Sequence, residues 1–170
     1  NITALTLVAQ NSGAKLYDRV FESLSKSLKY GAVLMSVGTF IILIFAEQFM
    51  GFFSKDEAVI RAGVSYLRID ALVLYAYVIL FINVAALQGV KRPMFALYIG
   101  FYRQIAAPIA VFYLFTEVFN FGLLGIWWGI FLVTWSAAIF TFFYTRRALR
   151  KITGYEPVES PLFLKNKTPD

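Results

Sequence analysis

Residues 54–89 read SKDEAVIRAGVSYLRIDALVLYAYVILFINVAALQG, and the fold turns on them. Ser54-Lys55-Asp56-Glu57 has the form of a capping box, in which Ser54 accepts from the amide of Glu57 and Glu57 reaches back to Ser54. The two acids suit the positive end of a helix. Ala58 to Asp70 mixes polar and apolar residues. From Ala71 to Leu87 no charge occurs over seventeen residues, and Gly89-Val90-Lys91-Arg92-Pro93 ends the run. A helix apolar on every side over that length reads as a membrane span. This one has an amphipathic entrance on one side and a basic exit on the other.

The rest of the chain repeats the pattern. Hydrophobic residues make up 59% of it and aromatics 18%, and the 16 basic and 10 acidic residues cluster between apolar runs. That is the pattern of a polytopic membrane protein. Cysteine and histidine are both absent. Thiolate metal sites, disulfides, the usual general base and the neutral-pH switch are therefore ruled out. No paired carboxylates converge either, so we expect no catalytic site, no metal site and no enzyme. The net charge of +6 is explained by membrane topology, and nucleic acid is not an expected partner. The chain does not begin with Met, and Asn1 to Gln10 reads as the end of an apolar helix already under way. We expect a piece of something longer.

Gln10-Asn11-Ser12-Gly13-Ala14 breaks that first helix. Lys15 to Lys29 places Leu16, Val20, Phe21, Leu24 and Leu28 at helical spacing among charges, which suits a helix at the membrane surface. Complete spans are expected at about 30–53, 58–89, 93–115 and 121–145. Pro108 should kink the third. A transporter-lobe segment then covers 1–152, and a proline-bearing cytoplasmic tail covers 153–170. The fold class is all-α: a membrane helix bundle of four complete spans plus the end of a fifth.

Spans joined by short loops must alternate in direction. One side then carries Lys15, Arg19, Lys26, Lys29, Lys91, Arg92, Arg146, Arg147, Arg150, Lys151, Lys165 and Lys167, and the other carries Lys55 and Arg61. Twelve cations against two place the first set, and the C-terminus, in the cytoplasm. The expected location is the cytoplasmic membrane, with lipid as a partner.

Several short motifs, taken in order, resemble the multidrug and toxic compound extrusion family. Gln10-Asn11-Ser12-Gly13-Ala14 followed by a basic helix is similar to its recurring turn. Phe52 to Ile60 with Tyr66-Leu67-Arg68-Ile69 looks like the next turn, and Leu87-Gln88-Gly89 with Arg92-Pro93 looks like the exit. Arg103 with Pro108, and Gly122 to Trp127, fit the last two spans. The resemblance covers about residues 5 to 150. It implies the end of helix eight through helix twelve of a two-lobe, twelve-helix exporter. Such an exporter drives out organic, often cationic, compounds against Na⁺ or H⁺. The missing N-terminal lobe and a small organic substrate would be partners, and the coupling ion would replace any cofactor. A lipid-linked sugar flippase of the same superfamily and a non-transporting assembly subunit are the alternatives.

Intramembrane polar groups supply the candidate site. Asp70 lies 19 residues before Gly89, about 28 Å by helical rise and so near the outer edge of the core. It reads either as an interfacial acid, paired locally with Arg68, or as part of an ion or substrate path. Arg103 lies ten residues after Pro93, about 15 Å in. A charge there must face protein or water, either to hold helices together or to line a cavity. Tyr66, Asp70, Tyr77, Phe81 and Gln88 fall within about 60° of one helix face. That stripe suits cation–π contacts with flat organic cations, or ordinary helix packing. Some Na⁺-coupled family members carry a carboxylate midway along this span. Tyr77 aligns there, which moves the expected ion site toward the N-terminal lobe. Gly122, Gly125 and Gly129 suit close helix approach, and Trp127, Trp128, Tyr30 and Tyr144 suit interfacial belts.

Overall fold

The computed structural model describes residues 2–154. Six α-helices follow one another: α1 (Ile2–Gly13), α2 (Tyr17–Phe53), α3 (Glu57–Gly89), α4 (Met94–Phe101), α5 (Ala107–Tyr113) and α6 (Gly122–Thr153). Tyr102–Ala106 and Leu114–Val118 form π-helical turns that join α4 to α5 and extend α5. Among the described residues four helical stretches are long and apolar enough to cross a membrane: Tyr17–Phe53, Glu57–Gly89, Met94–Val118 and Gly122–Thr153. The chain is a multi-pass membrane protein. The tail beyond Gly154, with Lys165 and Lys167, lies outside the described residues.

Helix α3 is the axis of the bundle, packing against α1, α2, α4 and α6. Its direction against each neighbour is legible from side-chain partners. Thr39 Oγ1 donates to the Ala71 carbonyl at 3.0 Å, Tyr75 donates to Ser36 at 3.0 Å, and Arg68 pairs with Glu47 at 3.6 Å. Rising numbers on α2 meet falling numbers on α3, so the two run antiparallel. Buried hydroxyl-to-carbonyl bonds of this kind hold helices together where lipid offers no hydrophobic drive. Against α6 the order is parallel: Ala76, Leu80 and Leu87 pack with Ala137, Ala138 and Ala148. Small residues on α6 let the two axes approach.

The start of α3 differs from the capping-box expectation. Asp56, not Ser54, is the cap, and its Oδ1 accepts from Ala58 N at 2.8 Å and Val59 N at 3.4 Å. Ser54 Oγ accepts from Asp56 N at 3.1 Å. A carboxylate at the cap satisfies two free amides and meets the helix dipole with a full charge. Glu57 is thereby released to pair with Arg61 at 3.1 Å.

The expected surface helix over 15–29 is not a separate element. It continues into the first span as one 37-residue helix, about 55 Å long. No proline or cap interrupts the chain at Lys29-Tyr30, and Gly31 faces Val78 closely enough to be held in place. The apolar face expected to lie on lipid is turned inward instead. Val20 and Leu24 are buried with Ala4 and Val8 of α1 and Ile82, Ala85 and Ala86 of α3. Helix α6 likewise runs past its expected end at 145 to Thr153, where Gly154 terminates it in a left-handed conformation.

In the third span Pro108 acts through a π turn. The amide of Ala107 donates to the carbonyl of Tyr102, five residues back. The extra residue in the turn makes room for the proline ring and avoids the clash it would make in a regular turn.

Candidate functional site

The π turn sets the position of Arg103. Its side chain leaves the wide turn toward α3, where Tyr77 and Phe81 sit one helical turn apart on the same face. The two rings stack on each other, with centroids 5.6 Å apart and planes within 8°. The guanidinium carbon of Arg103 lies 5.5 Å from the Tyr77 centroid and 5.9 Å from that of Phe81. Its Nη1 donates to the Tyr77 hydroxyl at 3.5 Å, a long hydrogen bond. Arg103 thus answers the cost of a mid-span charge with two ring faces and a hydroxyl. The carbonyl freed by Pro108 is not among its hydrogen-bond partners.

Phe81 and Arg103 form one wall of a cavity of about 350 Å³ between α1, α3 and α4, and Tyr77 reaches it only through its contacts with those two side chains. Phe81, Gln88, Arg103 and Gln104 give it character, and Leu5, Leu80 and Ile99 give it an apolar floor. Arg103 is the only ionisable side chain among the described residues lining it. The arrangement can hold a flat, partly apolar molecule against the Phe81 ring, with amide groups at Gln88 and Gln104 for polar edges.

Four of the five candidate residues are therefore brought together: Tyr77, Phe81, Gln88 and Arg103. Asp70 is not. It lies seven residues before Tyr77, about 10 Å along the helix, and has no hydrogen bond or ion pair among the described residues. The local pairing with Arg68 is overturned because Arg68 reaches across to Glu47 on α2. The upper end of the stripe also diverges, since Tyr66 faces Trp127 of α6 at 6.0 Å. Tyr144 stacks on Phe95 of α4 at 4.4 Å. Gly125 and Gly129 do meet the preceding helix, against Phe115 and Phe112, whereas Gly122 has open space and a positive φ. Gln104 had a signal in the sequence, being a second polar residue in an apolar span. Leu5 had none, because its place depends on how α1 docks.

The sequence profile of the MatE family matches residues 1–114, two-thirds of the chain. The chain belongs to the MatE family. The MatE match covers α1 to α5 and so includes every residue of the cavity. Solved transporter structures share the fold. An inward-facing multidrug resistance MATE family transporter of the MOP superfamily superposes with a TM-score of 0.84 at 19% identity, over 91% of this chain and 36% of its own. The outward-facing form gives 0.82 at 19% identity, over 89% and 34%. A MOP superfamily transporter from Pyrococcus furiosus, described as having a binding pocket of reverse polarity, gives 0.82 at 20% identity, over 90% and 34%. The chain spans about a third of the length of these structures. Among curated proteins, none matches it. This MatE chain thus has the fold of solved MATE family transporters.

Proposed function

We propose that the chain forms part of one lobe of a two-lobe exporter that moves organic compounds across the cytoplasmic membrane, driven by Na⁺ or H⁺. The observation that carries this reading is the cavity beside α3, where the Phe81 ring, stacked on Tyr77, converges with two amides and one arginine in a MatE fold. Aromatic walls with few polar groups suit varied flat ligands. The resident guanidinium already covers the Tyr77 and Phe81 faces. This particular cavity therefore suits neutral or acidic aromatic compounds better than organic cations, which like-charge repulsion would disfavour. Cationic substrates and the coupling ion would need carboxylates, and Asp70 stands about 15 Å along α3 from Leu80, the first cavity residue on that helix. We assign both to acids outside this chain. In the full-length protein, Tyr77→Ala with Phe81→Ala should leave the amount of folded protein near normal and cut efflux of a fluorescent aromatic acid severalfold. Normal efflux from that variant would remove the cavity from the transport path.

The same reading places the basic helix ends in the cytoplasm. Lys91, Arg92, Arg146, Arg147, Arg150 and Lys151 gather at one end of the bundle, and Lys55 and Arg61 lie at the other. The chain has no cysteine, so single cysteines report cleanly. An impermeant maleimide on intact cells should label a cysteine at Asp56 and spare one at Arg150. The reverse pattern would invert the topology.

A further inference from the structure

We propose that the groove between α4 and α6 is a binding site for one anionic phospholipid of the leaflet that meets the basic helix ends. The groove adjoins the cavity above, sharing Ile99 with it, and lies on the neighbouring face of α4. It has a volume of about 420 Å³ and is lined by Phe95, Tyr98, Ile99, Tyr102, Ser136 and Phe140. Two of its three hydroxyls are already paired with each other: those of Tyr102 and Ser136 lie 3.0 Å apart, and Ser136 also donates to the Val133 carbonyl at 2.8 Å, while Tyr98 carries the third. What remains is hydrocarbon and ring surface, which suits an acyl chain.

Charge and length identify the occupant. Ser136, Phe140 and Arg147 fall within about 40° of one face of α6, so Arg147 stands at the basic mouth of the same groove. Arg147 is exposed, whereas Arg146 beside it is held over the Phe142 ring at 4.3 Å. Across the mouth, Lys91 and Arg92 are exposed in the turn before α4. From Arg147 to Ser136 is eleven residues, about 16 Å. From Arg92 to Tyr102 is ten, about 15 Å. Both equal one leaflet of a hydrocarbon core about 30 Å thick. A phosphate held by three cations at the interface would thus send one acyl chain along the groove to the Tyr102–Ser136 pair at mid-depth. Basic clefts between spans recognise anionic headgroups in this way.

The test is native mass spectrometry of the purified full-length protein, with phosphatidylglycerol and phosphatidylcholine added as probes. The wild type should retain one phosphatidylglycerol in preference to phosphatidylcholine. Arg92→Ala with Arg147→Ala should weaken that retention about 30-fold, with the melting temperature in detergent unchanged because both side chains are exposed. Ser136→Trp should plug the groove and lower retention with the cations intact. Equal retention of the two lipids, or full retention by the double alanine variant, overturns the proposal. So does the absence of any retained lipid, which would mean that protein covers the groove.

Discussion

Gly89→Leu is expected to lose most of its folded protein, while Gly51→Ala is expected to gain slightly. Both glycines sit in long helices. A Cβ on Gly89 would lie 3.1 Å from the Ala9 nitrogen, 3.1 Å from the Leu5 carbonyl oxygen and 2.9 Å from Val8 Cγ1. Two of those three atoms are backbone of α1, and Val8 is fully buried. None can swing aside as a flexible side chain would. A larger residue must push α1 off α3 and open the cluster that joins both to α2. Overpacking of this kind costs about 3 kcal/mol, a large part of the margin that keeps a protein folded. At Gly51 nothing lies within 4 Å, so alanine only removes the helix penalty of glycine, about 1 kcal/mol. Thermal melts of the two variants side by side should move in opposite directions. A Gly89→Leu protein that melts with the wild type would mean that α1 does not dock as described.

Arg103→Leu is expected to change what the cavity binds by about 100-fold while leaving the fold nearly intact. Two readings of this residue were open from sequence: a helix clamp or a cavity wall. The expected result rests on the second, since Arg103 lines the cavity. It touches ring faces and a single hydroxyl through a long bond, and Tyr77 itself is only partly buried. Losing one cation–π contact at such a site costs about 1 kcal/mol, and no deeply buried group is orphaned. A ligand charge about 6 Å from the guanidinium feels about 3 kcal/mol at an effective dielectric of 20. Removing that term should weaken an anionic aromatic probe about 100-fold and strengthen its cationic analogue. Arg103→Lys should keep the charge preference but lose the planar stacking on Tyr77 and Phe81. Binding of a matched pair of fluorescent dyes to the purified full-length protein reads all three. Unchanged selectivity in the leucine variant would show that Arg103 lies outside the binding volume.

The spans were legible in the sequence because lipid imposes a rule that any apolar run must obey: its backbone must satisfy itself, which a helix does. Ala71 to Leu87 could be read as a span with no knowledge of its neighbours. Arg103 announced itself for a similar reason, since a charge at mid-span has to be answered by something. Local chemistry was less decisive at Ser54-Lys55-Asp56-Glu57, where two residues could both cap the helix. Asp56 prevails through its full charge and its reach to two amides. Which face of a helix meets lipid and which meets protein is a different kind of question. Amphipathic spacing over 15–29 is the same whether Val20 and Leu24 lie on a membrane or against α1 and α3, and only the packing showed the second. Asp70 and Tyr77 likewise shared a stripe in the sequence, and about 10 Å of helix rise keeps them apart.

By itself the sequence determined an all-helical membrane bundle, the number of its spans and the residue that had to find polar company. Those follow from hydropathy and charge, which act on each segment alone. Only the tertiary structure decided that α3 is the axis, that Arg103 meets Tyr77 and Phe81, and that α4 and α6 leave a groove lined mainly by aromatic rings. These depend on the rotation of one helix against another. That rotation is set by small residues and close contacts far apart in the chain, such as Gly89 against Leu5 and Ala9, which no local pattern records.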